Sequence, residues 1–455
     1  MIPEYADALR RFHARSDFEK GSITNPFGRD GAEGERGLAR VRGLLARLES
    51  PHQAVPVIHI AGSKGKGSTV AFLSTILTAA ELRTGRYVSP HLHTLRERIA
   101  IDGEPISETG FVAALDRVLA AAEALEAAEP ALGRVTAFEI STVMAFDHFA
   151  RSGCDIAVIE VGLGGTWDAT NVVDPLVSVI ALLDYEHTDV LGDTMAEIAR
   201  NKAGIIKPGR PVVSLDQPPE GMAVIREVAA ALNAPLSVEG AAWQATGDWR
   251  HARFTDVAGE IGPLRLGLTG PHQVRNAGLA FKTTRLLTGW PVNEAAIAQG
   301  LSETAWPARF EVVPRPGLPD IVIDGAHTPA SAAALVDTLD EEYPGVPVQW
   351  IFGMLGAKDA AGMLAQLGRR APAVTLVQPA NPRAMSIAAM TAAAEAAGLR
   401  TEVVPSLAEA IATATKRADA TGIIAVTGSL SFAAEARVTL GLASSEPVPV
   451  PATGR

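Results

Sequence analysis

The chain has 455 residues, of which 47% are hydrophobic and 20% charged, and its formal net charge is −11. This length exceeds what one hydrophobic core usually covers and predicts two or three domains, while the acidic balance argues against a nonspecific nucleic-acid binder. The single cysteine, Cys154, excludes an intramolecular disulfide framework and indicates a buried structural thiol in a reducing compartment.

The first 20 residues mix charged and aromatic side chains, which predicts a short amphipathic helix rather than a secretory signal. No segment approaches the ~20 apolar residues of a membrane span, so we expect a cytoplasmic protein. Residues 21–37 are polar and glycine-rich, which predicts a loop. Leucine and valine then recur at helical spacing from Leu38 to Leu48, which predicts a helix ending near Pro51.

Residues 57–68 run from β-branched residues into a loop that contains Gly62, Gly65 and Gly67, and a helix-compatible segment follows. In this arrangement backbone amides and a helix N-terminus hold phosphates, and Lys66 reaches the outer ones. The loop is shorter than the usual phosphate-binding motif, and Gly67 stands where a hydroxyl residue normally follows the lysine. On this loop alone, both nucleotide binding and a purely structural glycine turn remain open.

Strands and helices then alternate. We predict them at 86–88, 107–128, 137–152, 156–160, 176–183, 195–205 and 212–215. This alternation favours a parallel, doubly wound sheet. Short alternating runs within 235–268 predict a small antiparallel excursion, and helices resume at 273–287 and 293–301.

Prolines interrupt the pattern at 304–314, where we place a domain boundary. Beyond it the alternation restarts, with strands and helices predicted at 321–323, 329–339, 348–353, 360–367, 374–377, 386–397, 407–417 and 423–426. We therefore expect an α/β protein with two domains. The first, 1–303, has a P-loop ATPase-type, mostly parallel sheet, and the second, 304–443, is a smaller Rossmann-like domain. The proline-rich residues 444–455 predict a disordered tail.

Four groups follow predicted strands of the first domain: the loop at Gly62, Ser89, Glu160 and His187. Because parallel strands end at one edge of a sheet, these groups can converge there. Phosphates with a hydroxyl, a carboxylate and an imidazole would form a Mg²⁺–nucleotide shell, in which the imidazole is the unusual ligand. Taken singly, each group also has an ordinary structural explanation as a turn, a helix cap or a loop histidine.

In the second domain, Asp324 and His327 follow the predicted strand 321–323. Asp324 could bind ribose or a metal-bound water, or it could signal the start of a helix at Pro329. Arg309, just past the boundary, could reach a phosphate or be a solvated linker charge.

With these residues assembled, the chain resembles the Mur ligase superfamily and, within it, the folylpolyglutamate synthases, including the bacterial dihydrofolate synthase/folylpolyglutamate synthase form. The motifs that carry the resemblance lie at 62–68, 88–92, 136–139, 160–165, 168–171, 186–192, 202–205, 268–273, 276–277, 309–311, 324–327 and 353–355. Their number and order are far more specific than the glycine loop alone.

The resemblance implies an ATP site and two Mg²⁺ sites. The nucleotide contacts that it implies are Gly62, Gly65, Lys66, Gly67, Ser68, Asn276, Arg309 and Asp324. The metal ligands are Ser89, Glu160 and His187 for one ion, and for the other Lys202 after its carbamylation by CO₂. The pterin pocket is formed by Thr136, Ala137, Phe138, Glu139, Trp167, Asp168 and Ala169. The side chains that we predict to act in the chemistry are Lys66, Lys202, His187, Asp324 and His327.

The implied activity is ATP-dependent joining of L-glutamate to a folate or dihydropteroate carboxylate through an acyl phosphate, by a monomer without nucleic-acid or membrane partners. The chain departs from the family pattern at Lys64, Thr166-Trp167, Asn201 and Ala308, which stands where a glycine is usual. It matches the family's N-terminal pterin-contacting segment only loosely, at residues 36–40. On residue type alone, Lys202 is expected to be an exposed helix lysine. Another Mur-type amino-acid ligase and a non-catalytic nucleotide-dependent regulatory module are the alternatives.

Overall fold

A computed structural model describes residues 1–15, 25–28, 31–356, 358–418 and 421–446. The strands of the N-terminal part are β1 (Val57–Ala61), β2 (Thr84–Tyr87), β3 (Ile99–Ile101), β4 (Glu104–Pro105), β5 (Ile156–Glu160), β6 (Val177–Ile180), β7 (Val212–Ser214), β8 (Leu236–Val238), β9 (Trp243–Thr246), β10 (Ala252–Asp256) and β11 (Gly259–Leu264). Its helices are α1 (Pro3–His13), α2 (Ala32–Arg47), α3 (Lys66–Ala79), α4 (Glu108–Ala128), α5 (Ala137–Arg151), α6 (Thr188–Leu191), α7 (Met195–Ala203), α8 (Pro219–Ala231), α9 (Pro271–Arg285) and α10 (Glu294–Glu303).

An eight-stranded sheet in the order β4-β3-β2-β5-β1-β6-β7-β8 organises this part. The six strands from β2 to β8 in that order pair in parallel, and β3 and β4 join antiparallel at one edge. Strands β1, β5 and β6 are buried along their whole length, as expected for a sheet covered on both faces. The predicted mostly parallel α/β fold is therefore confirmed.

Three apolar clusters cover the faces of this sheet, and α7 and α8 form one of them against β1, β6 and β7. Helices α1, α2, α4 and α5 pack on one face, and α3, α9 and α10 pack on the other. The predicted antiparallel excursion over 235–268 holds for β9–β11 but not for β8, which pairs in parallel with β7. Strands β9–β11 cover α9, where the rings of Phe254 and Phe281 stack 5.7 Å apart. Cys154 is buried, which raises the pKa of its thiol to about 11.

The C-terminal part has a six-stranded sheet of its own. Its strands are β12 (Glu311–Val313), β13 (Asp320–Ile323), β14 (Val348–Phe352), β15 (Ala373–Leu376), β16 (Arg400–Val403) and β17 (Ile423–Thr427), and its helices are α11 (Pro329–Glu342), α12 (Ala360–Gly368), α13 (Ile387–Ala396), α14 (Leu407–Arg417) and α15 (Leu430–Thr439). The order is β12-β13-β17-β14-β15-β16, all parallel except β12. Sequence patterns did not predict α8, β16 or α15.

The predicted loop over 21–37 is wrong from residue 32 onwards, because α2 begins at Ala32. Gly31 supplies the left-handed backbone (φ +78°) that starts the helix. Residues 16–24 lie outside the described residues, and the predicted N-terminal helix ends at His13. The helix predicted from the spacing of Leu38 to Leu48 is confirmed as the C-terminal part of α2, whereas the polar composition of residues 32–37 concealed where this helix begins.

Of the predicted tail, residues 444–446 lie against the N-terminal part, where Glu446 accepts hydrogen bonds from Tyr5 Oη and the Leu95 amide. Residues 447–455 lie outside the described residues. None of the helices in the described ranges combines the length and the apolar character that a bilayer crossing requires.

Candidate active site

The glycine loop joins β1 to α3 in the geometry that phosphate binding requires. Gly62 (φ +148°) passes so close to β6 that an added Cβ would lie 2.7 Å from Ala181 Cβ. Gly65 (φ +84°) precedes the first residue of α3, Lys66, so the amides of the first helical turn face the loop. Lys66 Nζ donates to Gly62 O at 2.9 Å. The loop is thus a helix N-terminus with a lysine folded over it.

Glu160 lies beside this helix start, at the end of β5. Its side chain is buried, and an added Cβ on Gly67 would come within 3.9 Å of its Oε2 atom. Burial raises the pKa of Glu160 to about 7, although Lys66, Arg309 and the Ser89 amide act in the opposite direction. The structure therefore brings Ser89, Glu160 and the loop together, as predicted for the edge of a parallel sheet.

His187 follows β6 and begins α6 with a left-handed backbone (φ +48°). Burial lowers the pKa of its imidazole, and the charges of Glu186, Lys202 and Lys66 also act on it. The neutral ring is the form that binds metals.

Lys202 differs from the expectation for an exposed helix lysine, because its side chain is almost fully buried, with 1% exposure. Its Nζ atom donates to Gly62 O at 3.0 Å and to Glu186 Oε1 at 2.8 Å. Burial lowers its pKa to about 8. As an ammonium group Lys202 cannot coordinate a cation, so its predicted role as a ligand requires carbamylation and stays a prediction. Lys64, a departure from the family pattern, lies 4.0 Å from the other oxygen of Glu186.

The donors at this edge fit Mg²⁺ only in combination with phosphate oxygens. Within the described ranges, no group of three or more His, Cys, Asp and Glu side chains is arranged to hold a metal alone. Mg²⁺ is usually held by one or two carboxylates together with substrate phosphates and water. The buried carboxylate of Glu160 beside the hydroxyl residue Ser89 and the phosphate loop meets that requirement.

Asn276 on α9 closes the other side of the loop. A Cβ added at Gly65 would lie 2.3 Å from the Oδ1 atom of Asn276, so only glycine allows the loop to approach α9 this closely. Asn276 is buried and donates to Gln273 Oε1 at 3.0 Å. The predicted nucleotide contacts from the N-terminal part thus adjoin one another.

The C-terminal part supplies Arg309, Asp324 and His327. Asp324 accepts from the amides of Phe310 and Ala326, both at 2.8 Å. The charge of Arg309 partly offsets the burial that raises the pKa of Glu160, so the guanidinium lies within electrostatic range of that carboxylate. His327 Nδ1 lies 2.9 Å from Gly325 O. These side chains stand across the domain boundary from the phosphate loop.

Ala308 carries a strain that the usual glycine would avoid. It is fully buried and has φ +57°, a region that disfavours residues with a Cβ. Its carbonyl accepts from the Gly325 amide at 3.0 Å and from Arg309 Nη1 at 3.0 Å. The hydrogen bond to this carbonyl holds the Arg309 guanidinium beside residue 308.

A cavity of about 1010 Å³ opens beside this edge. Ser89 and His187 line it, so it is continuous with the predicted metal site. Six of the predicted pterin residues also line it: Thr136, Phe138, Glu139, Trp167, Asp168 and Ala169. Its volume is at the upper end of the ~300–1,000 Å³ that is usual for ligand pockets.

Two of the predicted pterin residues are committed to other contacts. Glu139 is buried. Its carboxylate accepts hydrogen bonds from Nε and Nη2 of Arg40 and from the Thr136 amide. Ala137 is 1% exposed and packs within the apolar cluster under α5. The helix start is a capping box, because Thr136 Oγ1 accepts the Glu139 amide in return.

Sequence reasoning included Arg40 only within the loose match of residues 36–40 to a pterin-contacting segment, and it missed Lys358 and Arg383, which also line the cavity. Arg40 on α2 also donates to Glu33 and to Leu132 O, and it ties three segments together. Lys358 and Arg383 reach the cavity from the C-terminal part. Burial, with the charges of Lys64 and Arg383, lowers the pKa of Lys358 to about 8. No spacing signal marks these residues, because each contact joins distant parts of the chain.

Two domain families match the N-terminal and C-terminal parts of the chain in that order. The Mur ligase middle domain matches residues 60–284, and the Mur ligase glutamate ligase domain matches residues 308–430.

Individual relatives extend this similarity over most of the chain. A dihydrofolate synthase/folylpolyglutamate synthase of Bacillus subtilis is 33% identical over 449 residues, which cover 97% of this chain and 100% of the relative. A probable bifunctional folylpolyglutamate synthase/dihydropteroate synthase of Halobacterium salinarum is 37% identical over 404 residues. They cover 87% of this chain, but the chain spans only 48% of that longer protein. The crystal structure of Mycobacterium tuberculosis folylpolyglutamate synthase complexed with ADP and AMPPCP superposes with a TM-score of 0.83 at 33% identity, covering 90% of this chain and 96% of that one.

Proposed function

The chain belongs to the folylpolyglutamate synthase/dihydrofolate synthase family of ATP-dependent Mur-type ligases, and on that premise we propose that it joins L-glutamate to the carboxylate of a pteroyl compound. The observation that carries the proposal is the continuity of the phosphate loop, Glu160 and the cavity around Phe138 and Asp168. A nucleotide at the loop and a flat heterocycle in the cavity would meet at Ser89 and His187.

A carboxylate is a poor electrophile, so one of its oxygens must first become a phosphate leaving group. In the proposed reaction, the acceptor carboxylate attacks the γ-phosphorus of ATP, ADP departs and an acyl phosphate forms. The amine of glutamate then attacks the acyl carbon, phosphate leaves and an amide results. Lys66 and the amides at the start of α3 neutralise the charge that develops on the transferred phosphoryl group.

Mg²⁺ bound by Glu160, Ser89 and His187 would supply charge neutralisation between the two anions. We propose carbamylated Lys202 as a ligand of a second ion. The amine of Lys202 now donates to Glu186 and Gly62 O, and a depressed pKa, here about 8, favours the neutral amine that reacts with CO₂.

Arg309, Asp324 and His327 act from the C-terminal part. We propose that Arg309 contacts the phosphates and that Asp324 contacts the ribose, with its carboxylate oriented by two backbone amides. Because an acyl phosphate is hydrolysed by water, closure of the two parts over the site protects it. We also propose that the enzyme acts as a cytoplasmic monomer.

One assay tests the function. ADP release is measured with purified protein, Mg²⁺, ATP, L-glutamate and either dihydropteroate or tetrahydrofolate, and each component is omitted in turn. We expect release that requires both the pteroyl acceptor and glutamate. Release that is independent of both would favour a nucleotide-dependent regulatory module. In a parallel series, other amino acids replace glutamate and a UDP-muramoyl peptide replaces the pteroyl acceptor, and release only in that series would indicate another Mur-type ligase.

A further inference from the structure

A buried chain of hydrogen bonds leads from the centre of the N-terminal sheet to the cavity. His59 lies in the middle of β1 and is fully buried, and its Nε2 atom is 2.8 Å from Thr170 Oγ1. Thr170 is also fully buried, and its hydroxyl donates to Asp168 Oδ1 at 2.5 Å. The Thr170 amide donates to the same oxygen at 3.0 Å. The mechanism proposed above uses neither His59 nor Thr170.

The direction of each hydrogen bond follows from counting protons. A threonine hydroxyl has one proton, and Thr170 uses it towards Asp168, so its oxygen must accept from His59. His59 therefore carries its proton on Nε2. Among the residues that the structure describes, His59 Nδ1 has no hydrogen-bond partner, as expected for the unprotonated nitrogen of this tautomer. Burial, with the charge of Lys207, lowers the pKa of His59 to about 3 and keeps the ring neutral.

Asp168 is the last residue of this series of hydrogen bonds. It lines the cavity, and 2% of its surface is exposed. Its Oδ2 atom accepts from the Leu163 amide at 2.9 Å, so the carboxylate is approached from both sides by donors. Leu163 belongs to the glycine loop that follows Glu160, and Thr170 belongs to the turn that Asp168 caps. The carboxylate is thus held in one orientation, and each of these protein contacts treats it as an acceptor.

A ligand group that meets such a carboxylate must donate hydrogen bonds. The 2-amino-4-oxo edge of a pteridine presents an amino group beside a ring N–H, which is a pair of donors. We propose that His59 and Thr170 are positioning residues that fix Asp168 as an acceptor in the cavity and so select ring systems with an N–H donor edge. This inference rests on the proposed function, because it takes the pteroyl ring as the occupant of the cavity.

A purely structural role would have a different signature. Asp168 also caps a short helical turn, and loss of that cap would lower stability without changing acceptor binding selectively. The pair Thr170→Val and Thr170→Ser separates these roles, because valine keeps the shape and removes the hydroxyl while serine retains it. His59→Leu and His59→Gln form a second pair, since glutamine can place an N–H near the position of Nε2.

The experiment measures initial rates of ADP release and, separately, binding of pteroate by titration calorimetry. We expect Thr170→Val and His59→Leu to raise the KM for dihydropteroate and the Kd for pteroate about ten-fold, with the KM for ATP unchanged. Thr170→Ser and His59→Gln should stay within about two-fold of the unmodified protein. Thr284→Val is the matched control, because Thr284 is another buried threonine whose hydroxyl donates within its own helix.

Equal increases in the KM values for ATP and for dihydropteroate would indicate a structural role and overturn the inference. Unchanged pteroate binding in both Thr170→Val and His59→Leu, the two variants that lack the donor, would also overturn it. If a donor-less variant does not fold, the serine and glutamine variants still decide. Loss of pteroate binding in folded Thr170→Ser would contradict the hydroxyl's role. An unmodified protein that binds pteroate but releases no ADP would contradict the proposed ligase activity while leaving the positioning role measurable. An unmodified protein that binds no pteroate would overturn both the proposed ligase activity and the positioning role.

Discussion

The nucleotide edge of the N-terminal sheet and the cavity beside it are built by different means. At the edge, short motifs at neighbouring strand ends supply the phosphate-binding and charged side chains. One carbonyl oxygen there, Gly62 O, accepts hydrogen bonds from both Lys66 and Lys202. The cavity wall is held by contacts between distant segments, such as Arg40 with Glu139 and Gly34 with Trp167. Substitutions at the edge should therefore lower the catalytic rate with little effect on the stability of the fold. Substitutions in the cavity wall should change both the free energy of unfolding and the binding of the acceptor.

The largest effect is expected at the edge. Lys66→Ala removes the cation nearest to the transferred phosphoryl group, and we expect the rate of ADP release to fall by ~10²–10³-fold. The unfolding midpoint should change little, because Lys66 Nζ contacts a single carbonyl.

The control is Lys416→Ala, an exposed lysine in the last turn of α14. It should retain full activity in the same coupled assay. A Lys66→Ala protein with near-normal turnover would contradict the assignment of this loop to catalysis.

The wall responds in the opposite way when its buried ion pair is broken. Arg40→Met leaves the Glu139 carboxylate buried without its cation, and we expect a loss of ~3–5 kcal/mol in the free energy of unfolding. Arg40→Met combined with Glu139→Gln should be less destabilised than Arg40→Met alone, because no unpaired charge remains.

Chemical denaturation monitored by circular dichroism measures both losses. Arg417→Met is the matched control, since the Arg417–Glu402 pair is exposed and is screened by solvent, so its loss should change the free energy of unfolding little. Equal losses for Arg40→Met and Arg417→Met would mean that the buried pair does not hold the wall.

This difference also explains what could be predicted from the sequence. The strand-loop-helix at Gly62 and the strand end at Glu160 have local signals, a glycine pattern and an apolar run that stops at a charge. The parallel sheet follows from repeated alternation. The first turns of α2 and the ion pair between Arg40 and Glu139 have no such signal, and the two residues of that pair are 99 positions apart in the sequence. The burial of Lys202 could not be predicted from the sequence either, because its partner Glu186 lies in a different segment.

The loop that carries Ser89 joins the two regions, and its stability should depend on pH. Burial opposes ionisation of Glu97, but hydrogen bonds from His93 and from the amides of Leu92, His93 and Thr94 outweigh it and lower its pKa to about 2. Because the folded-state pKa is below the unfolded value, the stabilisation is complete above pH ~4.5 and is lost as pH falls towards 2.

Glu97→Gln should thus lower the free energy of unfolding by ~2–3 kcal/mol at pH 7. The difference from the unmodified protein should shrink when denaturation is repeated between pH 4.5 and pH 3. Glu395→Gln, an exposed glutamate on α13, should show no difference at either pH. A Glu97→Gln deficit that stayed constant down to pH 3 would show that the carboxylate charge is not its source.

The smallest expected effect concerns the contact between Gly34 and Trp167 at the cavity rim. A Cβ at Gly34 would lie 2.6 Å from Trp167 Cγ, so Gly34→Ala must displace the indole. The helix itself would gain from alanine by up to ~1 kcal/mol, but overpacking costs ~1–3 kcal/mol, and we expect a net loss of stability and a raised KM for the pteroyl acceptor. In a Trp167→Ala background the obstacle is gone, so the same Gly34→Ala change should become neutral or stabilising. A double-mutant cycle on unfolding free energies measures this change of sign. Additive effects of the two substitutions would show that the indole does not rest on α2, and the cavity rim would then have to be set by other contacts.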